Sequence, residues 1–189
     1  MQLQVTEYQL ADESLSLDAA PRIVYRIDEA EGEYTAGPVT LTGPAHILAF
    51  ELVDEPSPDA MLSAPAELDG ELLIRLDTVS FPPGGVAYLH VHRGPGIRVL
   101  LNGEIRIDTD GQSHTYGPLE AWFESGPVPV FAAASETVPT AFVRCMVLPA
   151  QLRGQRSLRY VRVEDADQPK LQEYRIFVDE PLSDASVVR

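Results

Sequence analysis

Residues 84–105, GGVAYLHVHRGPGIRVLLNGEI, contain the patterns that decide the fold. His90 and His92 are two positions apart in an apolar run, so an extended strand places both imidazoles on one face. Further along, Asn102 and Gly103 form the Asn-Gly pair that is typical of a tight type I′ hairpin turn. The stretch therefore predicts short antiparallel strands, with two histidines on one face of the first.

Short apolar segments of the same kind occupy most of the chain. The 16 prolines and 13 glycines separate runs rich in Val, Ile, Leu, Tyr and Phe, which favours many short strands over long helices. We predict strands at residues 2–9, 22–27, 38–41, 46–52, 71–77, 87–92, 97–101, 104–108, 121–124, 128–133 and 140–148. Residues 57–68, rich in Ala and Pro, predict a short helix or an irregular link. The predicted fold class is all-β.

Composition limits the classes of partner. The chain has 189 residues, enough for one domain with a sizeable core. Its 29 acidic and 14 basic residues give a formal net charge of −15, which disfavours nucleic acid and anionic membrane surfaces. The N-terminal residues lack the features of a secretory signal, so we expect a cytoplasmic protein. Cys145, the only cysteine, lies in an apolar run that predicts a buried, unreactive thiol.

The histidine stretch resembles the first motif of the cupin superfamily, which reads Gly, five residues, His-x-His, three or four residues, Glu, six residues, Gly. Gly84, His90, His92 and Gly103 stand in the matching positions. The glutamate of the motif is missing, because its place falls at Gly96. The second cupin motif is fainter, and its histidine is also absent. The resemblance therefore implies a cupin with a reduced or altered metal site.

The fold that this resemblance implies is a double-stranded β-helix, or jelly-roll barrel. Residues 69–150 would form the cupin barrel core. Residues 1–68 would form a β-rich N-terminal extension that packs on the barrel, and residues 151–189 a C-terminal extension of outer strands or a lid. Cupins often pair through their sheets, so the resemblance also implies a homodimer.

His90 and His92 are the first candidates for metal ligands. Two neutral imidazoles on one face can bind one divalent ion, and the resemblance implies iron, manganese, nickel or zinc. The pair equally fits two polar residues near a strand end. A third donor is needed, and Glu124 is the first candidate for it, with His114 the second. Against these, Glu124 fits a solvated group beside a turn, and His114 fits an exposed hairpin.

Two arginines interrupt apolar strands. A charge at Arg98 or Arg144 must be paired or must face a ligand if the strand is buried. Planar guanidinium groups bind carboxylates through paired, charge-assisted hydrogen bonds, so both residues are candidates for binding an organic acid. The alternative is that either arginine pairs with Glu124 or Glu104 inside the protein.

Aromatic residues complete the predicted pocket. Tyr88 and Trp122 have the parity to line the same cavity as the histidines, although core packing explains aromatic residues on strands equally well. No catalytic residue is identified. Two functions stay open: a metal-dependent oxygenase, isomerase or decarboxylase acting on a small-molecule organic acid, and a noncatalytic protein that binds or senses an anionic metabolite.

Overall fold

The computed structural model describes residues 1–182; residues 183–189, the end of the predicted C-terminal extension, lie outside the described residues. Within residues 1–182 the regular structure is strands with two short 3-10 helices, so the predicted all-β class is confirmed. The strands are β1 (Gln2–Leu10), β2 (Ser14–Leu17), β3 (Arg22–Arg26), β4 (Glu31–Thr35), β5 (Val39–Thr42), β6 (Ala45–Val53), β7 (Leu62–Pro65), β8 (Leu72–Phe81), β9 (Val86–His92), β10 (Gly96–Asn102), β11 (Ile105–Thr109), β12 (Gln112–Tyr116), β13 (Ala121–Glu124), β14 (Val130–Ala134), β15 (Thr140–Pro149), β16 (Leu158–Tyr160) and β17 (Glu173–Leu182). The 3-10 helices span Ala150–Leu152 and Val163–Asp167. No helix in the described part of the chain is both long and apolar enough to cross a membrane.

Three five-stranded antiparallel sheets form the molecule. The N-terminal sheet has the order β4-β3-β6-β1-β7, and the strands β2 and β5 pair separately beside it. The central sheet has the order β13-β10-β15-β8-β17, and the outer sheet the order β12-β11-β14-β9-β16. The central and outer sheets face each other across a shared apolar core, which is the jelly-roll barrel that the sequence predicts.

The central sheet is buried on both faces. Residues such as Ile74 and Val143 pack against Leu3 and Phe50 of the N-terminal sheet. The opposite face, with Phe142 among its members, packs against the outer sheet inside the barrel. Burial on both faces explains why β15 is an almost continuous apolar run in the sequence.

Cys145 lies on the face of β15 that packs against the N-terminal sheet. Its side chain has no exposed surface, and burial raises the pKa of the thiol. The thiol is therefore buried and unreactive, as the sequence predicts.

Residues 57–68 differ from the sequence-based expectation, because they contain the strand β7, which pairs with β1, rather than a helix. Residues 151–182, the described part of the predicted C-terminal extension, supply an edge strand to each barrel sheet, because β16 pairs with β9 and β17 pairs with β8. The C-terminal segment therefore takes part in the barrel wall.

The predicted hairpin at Asn102-Gly103 is also wrong. Gly103 has a φ of +80°, but Asn102 does not share the positive φ that a type I′ turn requires. The strands on its two sides, β10 and β11, belong to different sheets, so this turn carries the chain across the barrel. The paired positive φ values occur instead at Asp110 and Gly111, in the turn between β11 and β12.

Replacing Gly103 by Ala should destabilise the barrel more than the same change at Gly111. Both glycines have positive φ, which costs an alanine about 1 kcal/mol. A Cβ at Gly103 would also lie 2.6 Å from the carbonyl oxygen of Pro139, whereas nothing lies within 4 Å of a Cβ at Gly111. We expect Gly103→Ala to lose about 1–3 kcal/mol of unfolding free energy beyond Gly111→Ala in urea denaturation. Equal losses would show that the crossing turn is not tightly packed.

Candidate metal and ligand site

His90 and His92 lie on β9 and point into the barrel. Both side chains are buried, with 5% and 4% of their surface exposed. Their Nε2 atoms are 3.2 Å apart, and the two rings meet edge to face. This is the placement on one face that the His-x-His spacing predicts.

The neighbour of each Nδ1 atom limits where the ring carries its proton. His90 Nδ1 lies 2.7 Å from the carbonyl oxygen of Tyr88, which only accepts hydrogen bonds, so Nδ1 of His90 is the donor and its Nε2 keeps a lone pair. His92 Nδ1 lies 3.3 Å from Ser157 Oγ, and a hydroxyl can donate to this nitrogen or accept from it. The two Nε2 atoms are within hydrogen-bond distance of each other, so His92 can share a proton with His90, and an ion between the rings would require that proton to move to Nδ1 of His92.

Burial keeps both imidazoles neutral. It lowers the pKa of His90, against a smaller opposing effect of the nearby Glu124 carboxylate. It also lowers the pKa of His92 well below its usual value, and the charges of Arg144 and Arg98 add to this effect. At neutral pH neither ring holds a second proton, so both lone pairs are available to a cation.

A carboxylate stands beside the histidines at the point where the cupin motif lacks one. In the central sheet Gly96 of β10 pairs directly with Glu124 of β13. A side chain at position 96 has no space, because a Cβ there would lie 2.6 Å from the carbonyl oxygen of Cys145 and 2.7 Å from Met146 Cγ. The acid is thus supplied by the neighbouring strand.

Glu124 is buried, with 8% of its surface exposed, and each of its oxygens has a different neighbour. Oε1 accepts a hydrogen bond of 3.0 Å from the indole of Trp122. Oε2 lies 2.7 Å from Arg98 Nη2 and 3.5 Å from His92 Nε2. The contact with Arg98 lacks hydrogen-bond alignment, so Oε2 has no hydrogen bond among residues 1–182.

The donor atoms fit a divalent transition metal. One nitrogen of each histidine and one oxygen of Glu124 all lie within 4.8 Å of one another. Two ligands about 2.1 Å from one ion, at angles of about 90–110°, lie about 3.0–3.4 Å apart, and the observed separation of the Nε2 atoms, 3.2 Å, falls in this range. Such an ion would contact the two facing Nε2 atoms and Glu124 Oε2, which has no hydrogen bond among residues 1–182. Arg98 opposes it, because its positive charge lies against the same carboxylate.

Arg98 stays charged in this setting. Burial lowers the pKa of its guanidinium to about 10, although the Glu124 carboxylate opposes the shift. Its Nη1 donates a hydrogen bond of 2.6 Å to the carbonyl oxygen of Gly96. Arg98 is therefore paired inside the protein, which was one of the two alternatives for this residue.

Arg144 has a carboxylate of its own. It lies directly across from Arg98 in the sheet, and its next neighbour on the other side is Asp77 of β8. The Asp77 carboxylate accepts hydrogen bonds of 2.7 Å from Nε and 3.0 Å from Nη2 of Arg144. Burial alone would lower the pKa of Arg144, but the charge and hydrogen bonds of Asp77 outweigh it and raise that pKa. The partner is thus Asp77 rather than Glu124 or Glu104.

Two adjoining cavities open from these residues. The inner cavity, of about 20 Å³, is enclosed by the histidines, Glu124, Arg98 and Trp122 and has room for about one water molecule or ion. The outer cavity, of about 370 Å³, lies between Arg144 and its barrel neighbours on one side and C-terminal residues 154–176 on the other. Leu158, Tyr174 and Arg144 line both. A molecule larger than a few atoms fits only the outer cavity.

Two predicted site residues, Tyr88 and His114, lie outside the inner cavity. Tyr88 does not line the inner cavity, because β9 contains a bulge between Ala87 and His90 that reverses the alternation of its side chains. Its ring instead lies near the Lys170 amine. His114, the second candidate for a third ligand, lies exposed on β12 and outside the histidine cluster.

Trp122 lines the inner cavity and packs against Phe142. Two residues of the site, Asp77 and Ser157, were not predicted from the sequence. Asp77 carries a signal that could have found it, since a carboxylate in the apolar run LLIRLD needs a buried partner.

No protein-family model matches the chain, and no curated protein matches it. Solved structures do resemble it. A cupin 2 conserved barrel domain protein from Leptotrichia buccalis matches at 17% identity and a TM-score of 0.42, over 77% of this chain and 82% of that one. A sugar phosphate isomerase from a cupin superfamily, from Silicibacter pomeroyi, matches at 17% identity and a TM-score of 0.35, over 39% of this chain and 49% of that one. A structure of oxalate oxidase matches at 18% identity and a TM-score of 0.37, over 42% and 47%.

The matched regions of the sugar phosphate isomerase and of oxalate oxidase span about half of those chains (49% and 47%). Two of these neighbours, the barrel domain protein and the sugar phosphate isomerase, are named as cupins. At these identities and TM-scores the likeness assigns no activity to this chain.

The pair between Asp77 and Arg144 should contribute strongly to stability. Asp77→Asn keeps the shape of the side chain but leaves a buried guanidinium without a counter-charge, so we expect a loss of about 3–5 kcal/mol in the free energy of unfolding. Glu180→Gln is the matched control, because Glu180 pairs with Arg153 at the surface, where about half of each side chain is exposed. It should cost less than about 1 kcal/mol in the same denaturant titration. Similar losses in both variants would contradict a buried ion pair at Asp77.

Proposed function

We propose that this chain is a metal-dependent enzyme of the cupin type that acts on a small organic acid. His90, His92 and Glu124 would hold one divalent transition metal: iron, manganese, nickel or zinc. The observation that carries the proposal is the convergence of two buried Nε2 atoms, 3.2 Å apart, on a buried carboxylate oxygen of Glu124. Two neutral imidazoles and a carboxylate this close together, out of contact with water, are a donor set that suits a divalent transition metal.

The chain's own residues would control the ion and its surroundings. The carbonyl of Tyr88 accepts a hydrogen bond from Nδ1 of His90, and the Ser157 hydroxyl would accept one from Nδ1 of His92, so that Nε2 of each ring is directed at the ion. Trp122 holds the carboxylate of Glu124 from its other oxygen. Bound there, the metal would polarise a substrate oxygen or activate dioxygen, as required for oxygenase, isomerase or decarboxylase chemistry.

Arginines support the choice of an acidic substrate. Arg98 and Arg144 line the inner cavity together with Trp122, and Arg144 also faces the outer cavity. Arg144 uses Nε and Nη2 for Asp77, which leaves Nη1 without a hydrogen bond among residues 1–182. A carboxylate in the outer cavity could accept that bond. The side chain of Tyr88, which lies outside the inner cavity, has no part in this proposal.

The alternative function is a noncatalytic cupin that binds or senses an anionic metabolite. Two observations favour it: Arg98 already neutralises Glu124, and the inner cavity is too small to admit a substrate beside an ion. Both functions use a small-molecule ligand. The homodimer and the cytoplasmic location remain predictions.

Metal content separates the two functions. We expect protein purified without chelator, or dialysed against Mn²⁺, Fe²⁺, Ni²⁺ or Zn²⁺ and then desalted, to retain about one ion per chain by plasma mass spectrometry. The double variant His90→Ala/His92→Ala should retain none, whereas His114→Ala, which removes an exposed histidine outside the cluster, should behave as the wild type. Glu124→Gln should weaken retention at least about tenfold.

The opposite results have distinct meanings. Wild-type protein that retains none of the four metals would reject the metal site and leave the noncatalytic function. Retention that survives Glu124→Gln unchanged would reject Glu124 as a ligand while keeping the histidines.

A further inference from the structure

The outer cavity carries uncompensated positive charge, although the formal net charge of the chain is −15. Arg75, which lines it, is neutralised by Asp179 through hydrogen bonds of 2.9 Å. Arg156, which also lines it, makes no side-chain ion pair or hydrogen bond with another residue in the range 1–182. Arg75 and Arg144 are each paired with an acid. Arg156 and Lys170 are therefore the charged residues of the cavity wall that have no paired acid among residues 1–182.

Lys170 is held in place by backbone carbonyl groups and forms no ion pair with a carboxylate of residues 1–182. Its amine donates hydrogen bonds to the carbonyl oxygens of Asp165 at 2.6 Å and Ala166 at 3.1 Å, and to that of Gln168. It also lies 4.8 Å from the centre of the Tyr160 ring. The chain therefore fixes the position of this cation but does not neutralise it, which is an arrangement that favours an anion in the adjoining space.

Gln172 contributes an unpartnered polar group to the same cavity. Its side chain is buried, with 7% of its surface exposed, and Nε2 donates to the Tyr174 hydroxyl at 3.2 Å. Oε1 has no hydrogen-bond partner among the described residues. A buried amide oxygen in this state is unfavourable unless a donor reaches it. Gln172 lines the outer cavity, and rotation of its amide toward that space would let a ligand hydroxyl or N–H group supply the donor.

The rest of the wall is apolar or aromatic. Leu158 and Tyr160 lie on β16, and Tyr174 and Ile176 lie on β17 at the rim. Tyr174 and Ile176 leave 42% and 50% of their surface exposed, which is unusual for large apolar side chains beside a cavity. An apolar ligand body would cover this surface.

We infer that the outer cavity binds a small carboxylic acid with a hydroxyl group and an aromatic or other apolar body. Arg156 and Nη1 of Arg144 donate hydrogen bonds to the carboxylate, the fixed charge of Lys170 attracts it, Gln172 Oε1 accepts a hydrogen bond from the hydroxyl group, and Tyr160, Leu158 and Tyr174 cover the apolar body. The volume of about 370 Å³ lies in the range of small-molecule sites. The inference rests on the organic-acid part of the proposed function and does not require a bound metal.

Four small molecules test separately whether the carboxylate, the hydroxyl group and the ring of the ligand contribute to binding. Mandelate has the carboxylate, the hydroxyl and the ring; phenylacetate lacks the hydroxyl, lactate lacks the ring, and mandelamide lacks the charge. By calorimetry with chelator-treated protein we expect mandelate to bind best. Phenylacetate should bind about threefold to tenfold more weakly, and lactate and mandelamide at least about tenfold more weakly. No binding of mandelate, or equal binding of all four probes, would overturn the inference.

Substitutions in and near the outer cavity test whether mandelate binds there. Arg156→Gln should weaken mandelate at least about fivefold, whereas Arg159→Gln, an exposed arginine on the same segment that does not line the cavity, should leave it unchanged. Gln172→Leu should remove the difference between mandelate and phenylacetate, which general destabilisation would not do. If Gln172→Leu does not fold, the comparison of Arg156→Gln with Arg159→Gln still decides. Equal effects of the two arginine changes would overturn the assignment.

The proposed metal site and the proposed outer-cavity site can be tested separately. Mandelate binding that persists after chelator treatment and in His90→Ala/His92→Ala supports the outer cavity, whatever the metal analysis shows. Binding that appears only with metal present would place the carboxylate on the ion and would overturn the outer-cavity site, while leaving the metal-dependent function intact.

Discussion

The register between β10 and β13 is the constraint on which the site depends. It sets Glu124 directly across from Gly96, so that an acid from one strand occupies the space beside a residue that has no side chain. Close packing of the backbone keeps the space at Gly96 closed to any other residue, since a Cβ there would meet the strand β15. A shift of one residue would turn Glu124 to the opposite face and leave the histidines without a carboxylate.

The strand pairing of the central sheet also determines how its buried arginines are neutralised. Arg98 and Arg144 are direct cross-strand neighbours on the face that lines the barrel, where two like charges would repel each other. Each is matched by a separate buried acid, Glu124 or Asp77. The interior is thereby close to neutral around the histidines, and the unpaired cations lie further out, at Arg156 and Lys170. The organic-acid binding that we propose follows from this distribution rather than from net charge, which is strongly negative.

Much of the architecture could be predicted from residue pattern alone. Short apolar runs separated by proline and glycine indicate strands, and the spacing of His90 and His92 indicates a shared face; neither inference needs knowledge of distant contacts. The prediction at Asn102-Gly103 failed because the same dipeptide serves a tight hairpin and a crossing between sheets, and only long-range pairing distinguishes them. Asp110-Gly111, which does form the tight turn, carried the same local signal.

Other parts of the site depend on contacts that no local pattern contains. The bulge before His90 moves Tyr88 away from the cavity, and an extra residue in one strand leaves no mark in the apolar alternation. Ser157 is 65 residues from His92 in the sequence, yet its hydroxyl lies 3.3 Å from Nδ1 of that ring. Glu124 was predicted as a third ligand from its position near the second motif, but its contact with Arg98 follows from the strand register.

The central claim is that both imidazoles direct Nε2 into the barrel and offer it to one metal ion, with the proton of each ring on Nδ1. Long-range proton–nitrogen correlation NMR of the ¹⁵N-labelled protein, dialysed against Zn²⁺ and desalted, at neutral pH tests it directly, with His90→Gln and His92→Gln spectra to assign the signals. The account predicts that both histidines are neutral with an unprotonated Nε2. A proton on Nε2 of either ring, or one proton shared between the two rings, would contradict it.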